Sequence, residues 1–202
     1  MKKQHPTLLG AIVRDYFTDH LPRVRGASPH TIHGYRDCIV LLLRFLSARH
    51  KRRTEELDLK DLEPAGILAF LSHLEKERKN GVATRNVRLT AIHALFRFVA
   101  SRNPEHLGLA QQVLSIPFKR APERAIDYLE WEEIDATLKA IDRTTPQGTR
   151  DYALLATMFN TGARVQEIAD LRASDLQLTR PFQVKLLSWI PSDRQIPNVR
   201  ID

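Results

Sequence analysis

Hydrophobic residues in the first part of the chain recur at three- and four-residue steps, the spacing that places them on one face of an α-helix. One apolar stripe runs from Ile32 to Leu46, directly after Ser28-Pro29, a typical N-cap and first helical position. Basic segments, "LPRVRGA" and "RHKRR", separate the first helices. The pattern predicts five helices before residue 115: Thr7–His20, one that opens at Ser28-Pro29, one from Pro64, one over 82–103 and one near Glu105–Leu114.

The pattern changes at residues 116–127, "IPFKRAPERAID", which carry two prolines and little periodicity and are predicted to form a linker. Beyond it, we predict an amphipathic helix in "EWEEIDATLKAI", a turn in "TTPQGT" and an apolar helix in "RDYALLATMFN". A short helix then begins with Arg164, and "PFQVKLLSWI" is the one convincing strand. The predicted organisation is a helical domain over 1–115, the linker, a partial second domain over 128–187 and a disordered tail over 188–202.

Charge divides unevenly between the two parts. Residues 1–115 have a net charge of +8 and the remainder −1, within a total of +7. A basic domain indicates a polyanionic partner, most often nucleic acid, although it also suits a surface that is merely soluble. The single cysteine excludes an internal disulfide and fits a reducing cytoplasm, and no apolar run suggests a membrane span or a secretory signal.

The fourth predicted helix carries the residues best suited to nucleic acid. Asn86, Thr90, His93 and Arg97 fall on one narrow polar stripe, and such side chains can bind base edges or phosphates. An ordinary solvated helix face is the alternative. The candidate DNA-binding residues are Asn86, Thr90, His93, Arg97, Arg85, Arg88, His33, Arg44, Lys119 and Arg120.

Arg164 opens a short helix directly after the Thr161-Gly162 turn, where a cation is usually mildly unfavourable. An arginine beside the free N–H groups of a helix start can bind an anion such as a phosphate, and Glu167 shares its face and can orient it. A structural Arg–Glu pair is the alternative. No P-loop, zincin, nucleophile-elbow or dinucleotide-binding motif occurs, and the acidic clusters are expected to be solvated faces, so neither a metal nor a cofactor is predicted.

The stretch "RDYALLATMFNTGARVQEIADLRASDL" resembles the segment around the first catalytic arginine of tyrosine recombinases, the phage-integrase family, with Arg164 and Glu167 in place. "SPHTIHGYRDCIVLLLRFL" and "ATRNVRLTAIHALFRFVA" resemble helices of that family's core-binding domain, and "YLEWEEIDATLKAI" the first helix of its catalytic domain. The resemblance implies a mainly α fold: an N-terminal helical, SAM-like core-binding bundle followed by the incomplete start of an α+β integrase catalytic domain. It also implies a metal-free DNA cleavage by a tyrosine, with Arg164 as a catalytic residue supported by Glu167.

The chain departs from the family pattern after this segment. No histidine follows His106 and no tyrosine follows Tyr152, and Lys185 lies inside the predicted strand rather than in a hairpin turn. We therefore expect a truncated member that binds double-stranded DNA, self-associates on it as the family does, and does not cleave it. An active recombinase completed by another chain, and a helical interaction module or non-functional product without DNA binding, are the alternatives.

Overall fold

The computed structural model describes residues 7–121, 127–177 and 179, and the backbone of 183–185 and 198–200. The chain divides into two compact units, Met1–Arg124 and Ala125–Asp202. The predicted mainly α-helical class is confirmed, since helices make up most of the described residues.

The first unit consists of helices joined by short turns. Three short 3₁₀ turns, Thr54–Glu56, Leu59–Asp61 and Pro104–His106, lie between them. The helices are α1 (Leu8–Asp15), a π-helix (Tyr16–Val24), α2 (Pro29–His50), α3 (Pro64–Lys76), α4 (Val82–Arg102) and α5 (Leu107–Leu114).

Local sequence explains where these helices begin and end. The Ser28 hydroxyl accepts a hydrogen bond from the Thr31 N–H, with Pro29 at the first helical position, and α2 ends where Lys51 adopts a left-handed conformation. The first helix differs from the prediction, because after Asp15 the chain continues as a π-helix to Val24. Part of the basic segment predicted as a loop is therefore helical.

The core of the first unit forms around α4. Its Leu89, Ile92 and Phe96 are fully buried and pack in one cluster with apolar residues of α2 and α3. Each such side chain contributes about 1.5–3 kcal/mol when removed from water. Burial on several sides of α4 leaves only a narrow strip of this helix exposed.

The second unit begins with α6 (Trp131–Lys139), α7 (Pro146–Thr161) and α8 (Val165–Ala169), followed by a 3₁₀ turn at Ala173–Asp175. Part of the predicted turn "TTPQGT" is the first turn of α7, which is capped by Thr145. Gly148 is required there, since a Cβ at this position would lie 1.9 Å from the Asp142 carbonyl oxygen. A small apolar cluster joins α7 to α8: Met158, Ala163, Ile168 and Leu171.

Three short strands form one antiparallel sheet in the order β1 (Leu176–Gln177), β2 (Gln183–Lys185), β3 (Asn198–Arg200). Val184 pairs with Leu176 on one side and with Val199 on the other. The prediction of a single strand without partners is therefore wrong, because strand pairing joins segments that are distant in sequence. β3 lies within the tail predicted to be disordered, and the rest of that tail is outside the described residues.

Candidate nucleic-acid interface

The exposed strip of α4 is displaced by one position from the predicted stripe. Ala83, Val87, Thr90 and Arg97 are exposed, which again follows helical spacing. The strip carries small or short side chains, with one guanidinium toward its C-terminal end. Two of the four predicted stripe residues, Thr90 and Arg97, thus lie at the surface.

The prediction that His93 lies on an exposed stripe is wrong, because α5 and the segment after it cover this side chain. His93 is 3% exposed, and its Nε2 lies 3.1 Å from the Val113 carbonyl oxygen, which requires that Nε2 carry the proton. Its ring meets the Phe118 ring edge to face, with centroids 5.3 Å apart. Burial, only partly offset by the hydrogen bond to Val113, lowers the pKa of His93, so the imidazole is neutral near pH 7.

Arg85 and Asn86 also bind the protein itself. Arg85 is 4% exposed, so the expectation of an exposed DNA contact is wrong for it as well. Its Nη1 donates to Asn86 Oδ1 and to the Pro117 carbonyl oxygen, at 3.0 and 3.2 Å. The Asn86 amide in turn accepts from the Lys119 backbone N–H at 3.1 Å and donates to the Lys119 carbonyl oxygen at 2.7 Å.

The other candidates lie at or near the surface of the first unit. His33, Arg44 and Arg120 are exposed, and Arg88 is half-buried with its Nη1 3.3 Å from the Gly34 carbonyl oxygen. Lys119 is exposed but its Nζ lies 2.8 Å from both carboxylate oxygens of Glu75.

Three exposed arginines carry charges that act on Tyr16 or His20, and we call them the arginine cluster: Arg25, Arg97 and Arg102. Burial raises the pKa of Tyr16, and the charges of Arg25 and Arg97 oppose that rise. Burial lowers the pKa of His20, and the charges of Arg25 and Arg102 lower it further. The Tyr16 and His20 rings stack with centroids 5.8 Å apart, and the His20 ring lies 4.6 Å from the Phe98 ring.

The arginine cluster keeps its charge available for a partner. All three side chains are exposed, and within the described part of the chain none forms an ion pair with a carboxylate. Arg102 lies 5.8 Å from the centre of the Phe98 ring, four residues earlier. Sequence reasoning missed Arg25 and Arg102; the Phe-to-Arg spacing of four on one helix was the available signal for Arg102.

In the second unit, Arg164 is the N-cap residue of α8 rather than a member of its first turn. Gly162 ends α7 with φ of +64°, a conformation that favours glycine, and this turn leads into Arg164. The Glu167 carboxylate accepts from the Arg164 backbone N–H at 2.9 Å and from its Nη1 at 3.2 Å. These two hydrogen bonds and the guanidinium charge lower the pKa of Glu167, and the Arg164 side chain remains 83% exposed.

Two of the tyrosines in the described residues are partly or fully covered by other side chains. Tyr16 is buried, and Tyr152 lies beneath the Arg143 guanidinium, which is 4.5 Å from its ring centre. No three His, Cys, Asp or Glu side chains in the described ranges are placed to hold a metal ion. None of the helices described is both long and apolar enough to cross a membrane.

The phage integrase N-terminal SAM-like domain family matches residues 15–103. The integrase/recombinase y4rD of Sinorhizobium fredii is 41% identical over 191 residues, which span 94% of this chain and 68% of y4rD. Its relative y4rC from the same organism is 40% identical, over 83% of this chain and 51% of its own length.

Tyrosine recombinase XerC of Oceanobacillus iheyensis is 29% identical over 80% of this chain and 50% of its own length. A crystal structure of the XerH site-specific recombinase, bound to palindromic difH substrate in a post-cleavage complex, matches with a TM-score of 0.57 at 22% identity. That match covers 80% of this chain and 47% of XerH, and it supports the fold.

Proposed function

This chain belongs to the tyrosine recombinase (phage integrase) family, and we propose that it binds double-stranded DNA through its first unit without cleaving it. The arginine cluster carries the proposal, since its three guanidiniums are exposed, have no carboxylate partners in the described part of the chain, and act on the charge of neighbouring rings, Tyr16 and His20. Guanidiniums match phosphate oxygens in geometry and charge, and phosphate contacts supply most of the sequence-independent affinity for DNA.

The exposed strip of α4 contains one of these cations, Arg97. Small side chains at Ala83 and Val87 allow a helix to approach a groove closely, and Thr90 and Arg97 supply hydrogen bonds to phosphates or base edges. We include the exposed or half-buried candidates His33, Arg44, Arg88, Lys119 and Arg120 in the proposed contact surface. Arg85, Asn86 and His93 are assigned to the protein interior or to internal hydrogen bonds instead.

We also propose that Arg164 binds a DNA phosphate, as the family resemblance implies for a catalytic arginine. Its side chain is exposed, and Glu167 fixes both its backbone and one guanidinium nitrogen. Positioned cations of this kind stabilise the charge that develops on a reacting phosphate. Glu167 supports this role by remaining ionised.

The tyrosines of this chain support the proposed absence of cleavage. Tyr16 is buried, Tyr35 and Tyr152 are partly buried in helices, and Tyr128 is exposed at the start of the second unit. No tyrosine follows Tyr152 in the sequence. We infer that this chain does not cleave DNA by itself, and the truncation stays a prediction.

Because its proposed partner is DNA, we also propose that the chain acts in the cytoplasm. The XerH complex contains a palindromic substrate. A palindrome presents the same sequence twice, so we propose that two copies of this chain bind one duplex, as two-fold symmetric binders do.

Two assays on the full chain test the proposal. In a gel shift with a duplex of random sequence, we expect binding at low salt that weakens as salt rises, together with two successive complexes on a palindrome. The absence of any complex at low salt would favour the alternative, a helical interaction module without DNA binding.

The second assay incubates the chain with the same duplex and separates the products by denaturing electrophoresis. We expect no covalent protein–DNA band. A covalent band that disappears in Tyr128→Phe or Tyr152→Phe would show that the chain cleaves DNA after all.

A further inference from the structure

We infer that Asn86 is a positioning residue that anchors the segment after α5 to the surface of α4, rather than a residue that contacts bases. The observation is a pair of reciprocal hydrogen bonds between its side-chain amide and the backbone of Lys119. The Asn86 side-chain amide thus bonds to both the backbone N–H and the backbone carbonyl of Lys119, as a neighbouring β-strand would. This arrangement fixes the path of the chain at Lys119, 33 residues away in sequence.

Two further side chains of α4 bind the same segment, and we call Asn86, Arg85 and His93 together the anchor. Arg85 bonds to both Asn86 and the Pro117 carbonyl oxygen, and His93 bonds to the Val113 carbonyl oxygen. Together they hold residues 113–119 along one side of α4. The three side chains lie at helical positions 85, 86 and 93, which place them beside the exposed strip rather than on it.

Burial shows that this is a built structure rather than a chance contact. Arg85 and His93 are almost fully buried, although polar side chains are normally placed at the surface unless their hydrogen bonds are made within the protein. The Phe118 ring packs on His93, and the Lys119 ammonium group pairs with Glu75 of α3. The anchor thus joins α3, α4 and the segment that leads out of the first unit.

The consequence is that the anchor sets the path of the chain near the C-terminal end of the first unit. The side chains of Lys119 and Arg120, two of the proposed phosphate contacts, extend from this fixed part of the backbone. Asn86 acts on them through that backbone and not through its own contact with DNA. The inference stands independently of DNA binding, because the hydrogen bonds lie wholly within the first unit.

Amide hydrogen exchange on the full chain, without DNA, tests the anchor. The Lys119 N–H donates to Asn86, so Asn86→Ala should accelerate its exchange about tenfold (about 1.4 kcal/mol), the size expected for one lost hydrogen bond pair. The amide of Phe96, in the buried core of α4, reports on global opening and should not change. The Asn86→Asp variant retains an acceptor for Lys119 and should exchange at a rate between those of the wild type and Asn86→Ala.

Two matched controls separate the anchor from its surroundings. Thr90→Ala changes an exposed residue one turn along α4, and Glu75→Gln removes the charge that faces the Lys119 ammonium group while leaving the amide bonds intact. Both should change Lys119 exchange by less than about twofold, since exposed ion pairs contribute little. Unchanged Lys119 exchange in Asn86→Ala, or acceleration only in step with Phe96, would overturn the inference.

Discussion

The arginine cluster predicts a measurable loss of salt sensitivity when Arg97 is removed. If Arg25, Arg97 and Arg102 each neutralise one phosphate, they contribute a log–log salt slope of about −2.7, at about −0.9 per contact. Raising salt from about 50 to about 200 mM then weakens their contribution about 40-fold. With Arg97→Ala, two contacts remain, the slope is about −1.8 and the same change in salt costs about 12-fold.

The assay is fluorescence anisotropy of a labelled duplex, titrated with the full chain at several salt concentrations. Arg53→Ala is the matched control: Arg53 is also an exposed arginine of the first unit, but its Nε pairs with Glu55 at 3.1 Å. Both substitutions remove one positive charge. We expect the slope to become shallower by about 0.9 for Arg97→Ala and to stay unchanged for Arg53→Ala.

Equal slopes for Arg97→Ala and the wild type would refute the assignment of Arg97 to a phosphate. An equal change in both variants would show that total charge, rather than the arginine cluster, determines the affinity. Thermal unfolding of both variants establishes that the first unit remains folded, as expected for two exposed side chains.

Three further predictions concern stability and reactivity. Gly162→Ala should destabilise the second unit by about 1–2 kcal/mol through its left-handed backbone, and Gly148→Ala should cost more because its Cβ would meet the Asp142 carbonyl; urea unfolding compares the two. Burial lowers the pKa of His93, so as pH falls below about 6.5 this residue binds a proton more readily in the unfolded chain than in the folded one. The free energy of unfolding should therefore fall with pH, and fall less steeply in His93→Gln. Equal pH profiles for the two proteins would contradict this. Burial raises the pKa of Cys38 to about 12, so a thiol reagent should modify it only upon unfolding, and rapid modification of the native chain would count against the structure.

The helical fold could be predicted from sequence because its signals are local. Apolar spacing within each helix, Ser28-Pro29 at the start of α2 and the Thr161-Gly162 turn before Arg164 each act over a few residues. The family resemblance of the segment around Arg164 was equally local, and the family itself is confirmed. The difference in net charge between residues 1–115 and the rest of the chain could also be read from the sequence alone.

The sheet and the function of the α4 residues depended on contacts between distant segments. The pairing of β2 with β3 joins residues that local patterns do not connect, and only one of the three strands was predicted. The polar stripe of α4 was correct in its helical geometry, but sequence periodicity does not reveal which neighbouring segment covers which face.

Sequence alone therefore determined where this protein is helical, where it is basic and which family it resembles, because periodicity, composition and short motifs are properties of the chain itself. Tertiary structure alone decided that His93 and Arg85 are buried, that Asn86 holds Lys119 and that the Arg102 guanidinium lies over the Phe98 ring. A polar side chain can satisfy its hydrogen bonds with water, with DNA or with a backbone that lies 20 or 33 residues away, and only folding selects among these partners.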